Sequence, residues 1–239
     1  MAAIEIEYRF QIEGEQNHAH KVMLDAKTLQ STDAPPDMLP AWAGLGVKQC
    51  PNCPLDIASV PHCPAAVNMV RLVEHFDQLL SYDEVTVVVV TAERLISTTT
   101  TVQRAVCSLM GLLMATSGCP LTAFFKPMAR FHLPFASMAE TIWRATSTYL
   151  LSQYFICREG HPPDLIFERL SQTYAQIQIV NHAFAKRLRS ACQQDSMVNA
   201  IILLDMFAKS MPTAIEESLE EIRHLFVPYL GWADHGEKS

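Results

Sequence analysis

Four of the seven cysteines in this chain are followed directly by proline: Cys50-Pro51, Cys53-Pro54, Cys63-Pro64 and Cys119-Pro120. Proline fixes its own φ and offers no amide hydrogen, so each pair shapes a turn before any ligand arrives. Two thiolates spaced Cys-x-x-Cys can grip one tetrahedral ion from a single tight turn, and Cys50-Pro-Asn-Cys53 is similar to the Cys-Pro-x-Cys knuckles of small zinc modules. Cys63 supplies a third sulfur ten residues on, and Cys119 follows a predicted helix end, where a rigid element could deliver a fourth. Cys107, Cys157 and Cys192 stand apart from this pattern.

An odd number of cysteines without an export signal favours reduced thiols over a disulfide framework. The amino terminus, Met1-Ala-Ala-Ile-Glu-Ile-Glu, has neither a basic region nor an apolar run, so a cytoplasmic protein is expected. Metal binding or plain burial then explains the cysteines. With 18 Lys and Arg against 25 Asp and Glu the net charge is −7, which argues against nucleic acid or an anionic membrane as the main partner. At 239 residues and 49% apolar content the chain is long enough for a substantial core. The uncharged stretch Ala105 to Phe125 is broken by Gly118-Cys-Pro120, and what precedes the break suits a core helix rather than a membrane span.

Alternation over Ile4, Ile6, Tyr8, Phe10 and Ile12 predicts a half-buried strand, with a turn at Glu13 to Asn17 and a hairpin partner over Ala19 to Leu24. A helix is expected over Ala65 to Leu80, and the run Val87 to Val90 reads as a strand buried on both faces. A further helix from about Thr98 to Ser117 would end at Gly118. Capping boxes at Ser137-Met-Ala-Glu140 and Thr213-Ala-Ile-Glu216 each predict a helix start, as do Pro163-Asp164 and Asp195-Ser196. The helix from Pro163 carries an apolar stripe of Ile166, Leu170, Ile177, Val180, Phe184 and Leu188, and the helix from Thr213 an outer face of Glu216, Glu217, Glu220 and Glu221. The expected fold is α+β: a small, mixed N-terminal β-sheet with an attached, mostly antiparallel helical bundle. Residues 1–95 form a mixed α/β region holding the cysteine loop at about 48–64, and 96–239 form a helical region integrated with it.

The predicted metal ligands are Cys50, Cys53, Cys63 and Cys119. His62, His132 and Cys107 are alternatives for the fourth, and three protein ligands plus water is a further one. Zinc is the expected ion, with an iron–sulfur cluster as the alternative, since both accept four thiolates. A zinc deaminase is a poor match, because Gln49 rather than proline precedes Cys50. Lys126, Arg130 and His132 lie close together in Lys126-Pro-Met-Ala-Arg-Phe-His132 and are candidates for catalysis on an anionic substrate, while Glu140 and Glu168 could act as acid–base groups only if buried. Thr91-Ala-Glu-Arg94 ends a strand but has no glycine-rich loop for a nucleotide phosphate. Lys186, Arg187 and Arg189 suit the helix dipole at a C-terminal turn. Asp205, set among apolar residues, would need a partner such as Arg187 or Arg189.

Through Gln49-Cys-Pro-Asn-Cys-Pro-Leu55, Thr91-Ala-Glu-Arg94, Ser117-Gly-Cys-Pro120 and Lys126-Pro-Met-Ala-Arg-Phe-His-Leu-Pro-Phe-Ala-Ser137, the chain resembles a bacterial family of conserved hypothetical proteins. The likeness extends over Asn181 to Arg189. It implies a bacterial cytosolic protein whose two loops act as one unit, and it brings no reaction with it. The reading is therefore a zinc-stapled binding or regulatory module for a protein partner or small anionic ligand, in a form that allows a homo-oligomer. A metal-dependent enzyme using His132, Arg130 and Lys126, or an iron–sulfur redox sensor, is the alternative.

Overall fold

A computed structural model describes residues 3–12 and 17–231. The chain forms two compact units: the described residues up to Phe135 with Ala175–Met206, and Ala136–Tyr174 with the described residues from Phe207 onward. Two long helices, α5 and α6 below, therefore contribute to both.

The first unit is built on strands β1 (Ala3–Ile12) and β2 (His18–Asp25). They pair antiparallel, with Tyr8 opposite His20. The expected turn residues Glu13 to Gln16 lie outside the described residues. Helix α1 (Pro64–Phe76) follows, then β3 (Glu84–Val90) and β4 (Leu95–Thr101). The sheet order is β2-β1-β3-β4 and every pairing is antiparallel, so the expectation of a mixed sheet is corrected. No α-helical crossover separates adjacent strands in the hairpins β1-β2 and β3-β4, and short turns can join only antiparallel neighbours.

The sheet buries one face. Ile6, Tyr8 and Phe10 on β1, Val22 and Leu24 on β2, and Val85, Val87 and Val89 on β3 are enclosed. The valine run is thus half-buried rather than buried on both sides, because Thr86, Val88 and Val90 point to the more open face. That outer face carries Lys21 against Glu5 at 3.1 Å and Thr86 against Thr99 at 2.9 Å. Helix α2 (Val102–Thr116) and α1 close the inner face, joined by Val180, Phe184, Leu188 and Ile201 from the two long helices.

Leu95–Thr101 is a strand, where the sequence suggested the opening of a helix. Four consecutive threonines are β-branched and suit a strand, and pairing with β3 satisfies their backbone. The helix starts only at Val102. It is an almost wholly buried core helix. Among the described residues no helix is long and apolar enough to cross a membrane.

Beyond the short α3 (Lys126–Arg130), the second unit opens with α4 (Met138–Arg158). Its capping box forms as the spacing predicts: Ser137 Oγ accepts from the Glu140 amide at 3.2 Å, and Glu140 accepts from the Ser137 amide at 2.7 Å. Helix α5 (Glu168–Arg189) begins later than Pro163. Asp164 instead caps its approach, accepting from the amides of Ile166 and Arg169 and from the Tyr149 hydroxyl at 2.6 Å. Ile166 is consequently 81% exposed and leaves the apolar stripe, whose remaining members are buried.

Helix α6 (Ser196–Glu221) runs through Pro212 without a new start at Thr213, which corrects the second capping box. Ile201, Ala208, Met211 and Ile215 are buried at steps of seven, three and four, so the apolar stripe keeps its phase across the proline. Packing on both sides offsets the cost of about 3 kcal/mol of an interior proline. On the outer face Glu220 and Glu221 are exposed, while the side chains of Glu216 and Glu217 lie outside the described residues. The short α7 (Val227–Leu230) closes the described chain, with Phe226 just before it beside Trp143 at 5.8 Å between ring centroids. The α+β reading holds: a small antiparallel N-terminal sheet followed mainly by helices.

Candidate functional site

The cysteine loop is folded back on itself before it meets any other element. Within the knuckle the Cys53 amide donates to the Cys50 carbonyl at 3.0 Å, the bond that a proline at Pro51 prepares. Gln49 ties the ends of the turn by donating to the Leu55 carbonyl at 3.1 Å. At the far end of the loop the Cys63 amide donates to Ala43 and the Leu45 amide to Pro61, both at 2.9 Å. Gly44 and His62 form an isolated bridge between those two bonds. Cys63 then caps α1, with Pro64 in the first turn, a position where proline loses no helical bond.

Cys119 arrives from the other direction. Helix α2 ends at Thr116, and Gly118 takes φ +88°. The backbone conformation there favours glycine, while a Cβ would meet only the movable end of the Gln30 side chain at 2.9 Å. Ser117 Oγ accepts from the Cys119 amide at 3.1 Å and donates to the Met114 carbonyl at 2.8 Å, fixing the turn on the helix.

The fold brings all four of these cysteines into one electrostatic neighbourhood. Burial pushes the Cys50 thiol up to about 12, and Cys63, Cys119 and Cys53 each oppose a negative charge on it. Burial also raises Cys63, while the amides of Ala66 and Ala65 and the charge of Arg187 favour its thiolate. The other cysteines are elsewhere: Cys107 is buried in α2, where burial lifts it to about 12. Cys192 is raised to about 12 by burial, with Asp77 adding to the effect, and Cys157 is exposed. As the side chains stand, no three His, Cys, Asp or Glu among the described residues form a group that could hold a metal ion.

The residue that sequence reasoning missed is Arg187. It is 2% exposed and the largest fully buried side chain. Its Nη1 donates to the carbonyls of Trp42 at 2.5 Å and Gly44 at 2.6 Å, and its Nη2 to Leu45 at 3.3 Å. All three acceptors are main-chain oxygens of the loop that also binds Cys63. Among the described residues no carboxylate pairs with this guanidinium. Its charge favours the thiolates of Cys50 and Cys63. The signal was present in the sequence: Arg187 lies seven residues after Val180 and three after Phe184, on the apolar face of α5.

The pairing expected between Asp205 and Arg187 or Arg189 does not form. Asp205 meets His182 instead, Oδ2 to Nε2 at 3.0 Å. Arg187 turns instead to the carbonyls of Trp42, Gly44 and Leu45, of which Gly44 also accepts from the Val47 amide at 3.2 Å.

Lys126, Arg130 and His132 are each tied to a separate element. Lys126 donates to the Thr28 carbonyl at 2.8 Å. Arg130 lies 4.0 Å from Glu93 and over the Phe131 ring at 5.3 Å. His132 Nε2 shares a 2.6 Å hydrogen bond with the buried Tyr8 hydroxyl, which also bonds Ser108 Oγ at 2.8 Å. Arg130 and Glu93 border an open groove of about 480 Å³ beside Glu5 and Glu7, so its rim is mostly acidic. Thr91 serves the β3–β4 turn, where its Oγ1 accepts from the amides of Glu93 and Arg94. Glu140 is engaged in its capping box, whose hydrogen bonds hold its carboxyl below the usual range.

No curated protein and no solved structure matches the chain. The model of one family matches residues 6–227, nearly the whole length. The chain belongs to that family, described as a domain of unknown function, DUF6901.

Proposed function

We propose that Cys50, Cys53, Cys63 and Cys119 hold one structural metal ion, zinc, and that the chain is a non-enzymatic binding or regulatory module of a bacterial cytoplasm. The observation that carries this reading is Arg187: a buried cation without a carboxylate partner among the described residues, set where its field favours Cys50 and Cys63 as thiolates. A buried charge held only by neutral carbonyls still gains from a nearby charge of opposite sign. Four thiolates on a divalent ion carry a net double negative charge, which a guanidinium nearby offsets.

The donor set suits zinc, since four sulfurs satisfy a closed tetrahedral site. Binding requires the thiols to lose protons and turn toward the ion. Burial resists that step, while Arg187 and the amides of Ala65 and Ala66 favour it. Zinc when bound would join the loop between Ala43 and Cys63 to the end of α2, a cross-link worth about 10–16 kcal/mol of apparent binding energy in small zinc domains. The separate tethers on Lys126, Arg130 and His132 support a structural rather than a catalytic role for this region.

Elemental analysis of anaerobically purified protein, read beside its visible spectrum, tests the proposal. One zinc per chain and no colour is the expected result, with metal lost in the Cys50→Ser/Cys53→Ser variant and its thermal midpoint lowered. Iron with sulfide and a broad visible band would replace zinc by a cluster. Folded protein without metal, and a double variant as stable as the parent, would overturn the reading.

A further inference from the structure

Helix α4 is apolar on two opposite faces, and the second unit covers one of them. Ile142, Ala145 and Tyr149 are buried, with Thr146 and Gln153 on the same side. On the far side Trp143, Leu150, Leu151, Tyr154 and Phe155 are each 40–58% exposed. Phe226 approaches Trp143 at 5.8 Å between ring centroids, and the stripe beyond it stays open. Side chains of this size and exposure present on the order of 500 Å² of apolar surface. That is at the upper end of what a monomer leaves uncovered, and a helix apolar on all sides is ordinarily buried on all sides.

The spacing says what kind of partner fits. Trp143, Ser147, Leu150 and Tyr154 recur at steps of four, three and four, the seam of a coiled coil, so the matching surface is another helix. The seam also matches itself. In an antiparallel pair about a twofold axis, one register sets Trp143 against the partner's Tyr154 and the small Ser147 against the partner's Leu150. The charges ask for the same register. Glu140 and Arg158 are eighteen residues apart, five full turns, so they flank the seam at its two ends. In that register Glu140 falls within one residue of the level of the partner's Arg158, and the contact repeats at the other end. The helix dipole accounts for an acid in the first turn and a base in the last. It does not account for the exposed stripe between them, or for the shared midpoint of the apolar and charged pairs.

We propose that α4 packs antiparallel against α4 of a second copy of this chain, in a twofold homodimer with Trp143, Ser147, Leu150 and Tyr154 at its seam. Leu151 and Phe155 flank the seam, and the two stripes together bring on the order of 1,000 Å² into contact, enough for a specific interface. A twofold contact uses one patch on both copies, as this self-matching stripe does.

Sedimentation velocity of the full-length protein across micromolar concentrations tests this, with a shift from the mass of one chain to that of two as the expected result. Tyr154→Glu alters an exposed side chain, so circular dichroism should match the parent while dimerisation weakens more than ten-fold. Glu140→Lys and Arg158→Glu should each weaken self-association, because like charges then meet at both ends. Mixing these two variants should restore a dimer, because opposite charges meet again at both ends. Glu140→Lys also loses its capping bond, which mixing cannot restore, so recovery reads the charge pairing alone. A parent that stays monomeric, which would give the face to lipid or to another protein, would overturn the proposal. So would a Tyr154→Glu variant that dimerises like the parent, or charge variants that regain nothing on mixing.

Discussion

The cysteine loop and the segment Lys126–His132 are the two stretches where chemistry-bearing residues crowd the sequence, and the fold treats them in opposite ways. Cys50, Cys53, Cys63 and Cys119 span seventy residues of sequence, yet Cys53, Cys63 and Cys119 all act electrostatically on Cys50, and the buried Arg187 acts on Cys50 and Cys63. Lys126, Arg130 and His132 span seven residues and are drawn to Thr28, Glu93 and Tyr8 respectively. Closeness in sequence is a weak guide to a shared site, because a short helix such as α3 sends successive side chains in different directions. Nearness in the fold depends on the elements that carry the residues, here a proline knuckle, a helix start and a helix end.

The largest effect expected from breaking this contrast comes from Arg187→Ala. It takes a charged donor from three carbonyls of the loop, leaving Gly44 only the Val47 amide, and removes the charge that favours the thiolates of Cys50 and Cys63. Chemical denaturation should show a loss of about 2–5 kcal/mol, since buried carbonyls left without their charged donor each cost about 1–3 kcal/mol. A loss under about 1 kcal/mol would show that the loop holds its shape without the guanidinium. On the dispersed side, Tyr8→Phe removes one hydroxyl that serves both Ser108 and His132. About 1–2 kcal/mol is expected from the same measurement, with metal content unchanged. A loss of metal in that variant would tie His132 to the cysteines and erase the distinction between the two regions.

The smallest effect at neutral pH concerns the frame beneath both regions, where β2 meets the end of α1. His18 and His75 stack with centroids 3.3 Å apart, and His18 Nε2 is buried without a partner. Burial first, then the neighbouring His75 and His20, lowers His18 to about 4. His20 is lowered chiefly by burial, with Asp33 opposing. Histidines with depressed values in the folded state bind fewer protons than in the unfolded chain. Stability should therefore be full above about pH 6.5 and fall as pH drops toward about 4. His75→Ala should leave the neutral thermal midpoint nearly unchanged and flatten its decline in acid. An equally steep decline in the variant would assign acid sensitivity to other groups.

Much of the local structure was legible because its causes lie within a few residues. The alternation of Ile4 to Ile12 gave β1, the Ser137–Glu140 spacing gave a complete capping box, and Gly118 marked the end of α2. Misreadings arose where a distant partner prevailed over the local signal. Thr98–Thr101 offered helix-capping hydroxyls, yet the free edge of β3 claimed them as β4. Thr213–Glu216 carried a capping pattern, yet a continuous apolar stripe kept α6 intact across Pro212. Arg187 was read as one of three dipole-matching cations, although its phase on the buried face distinguished it from Lys186 and Arg189.

By itself the sequence determined the local turns at Cys50, Cys53, Cys63 and Cys119, since proline at the next position acts on the backbone before folding. It also determined the strand periodicity and most helix ends, because these depend on contacts a turn or a residue away. Only the tertiary structure decided that Arg187 is interior, that Asp205 belongs to His182, and that His132 belongs to Tyr8. Those pairings join residues far apart in the chain, and what selects them is the burial of a charge or hydroxyl that has to find a partner once water is excluded.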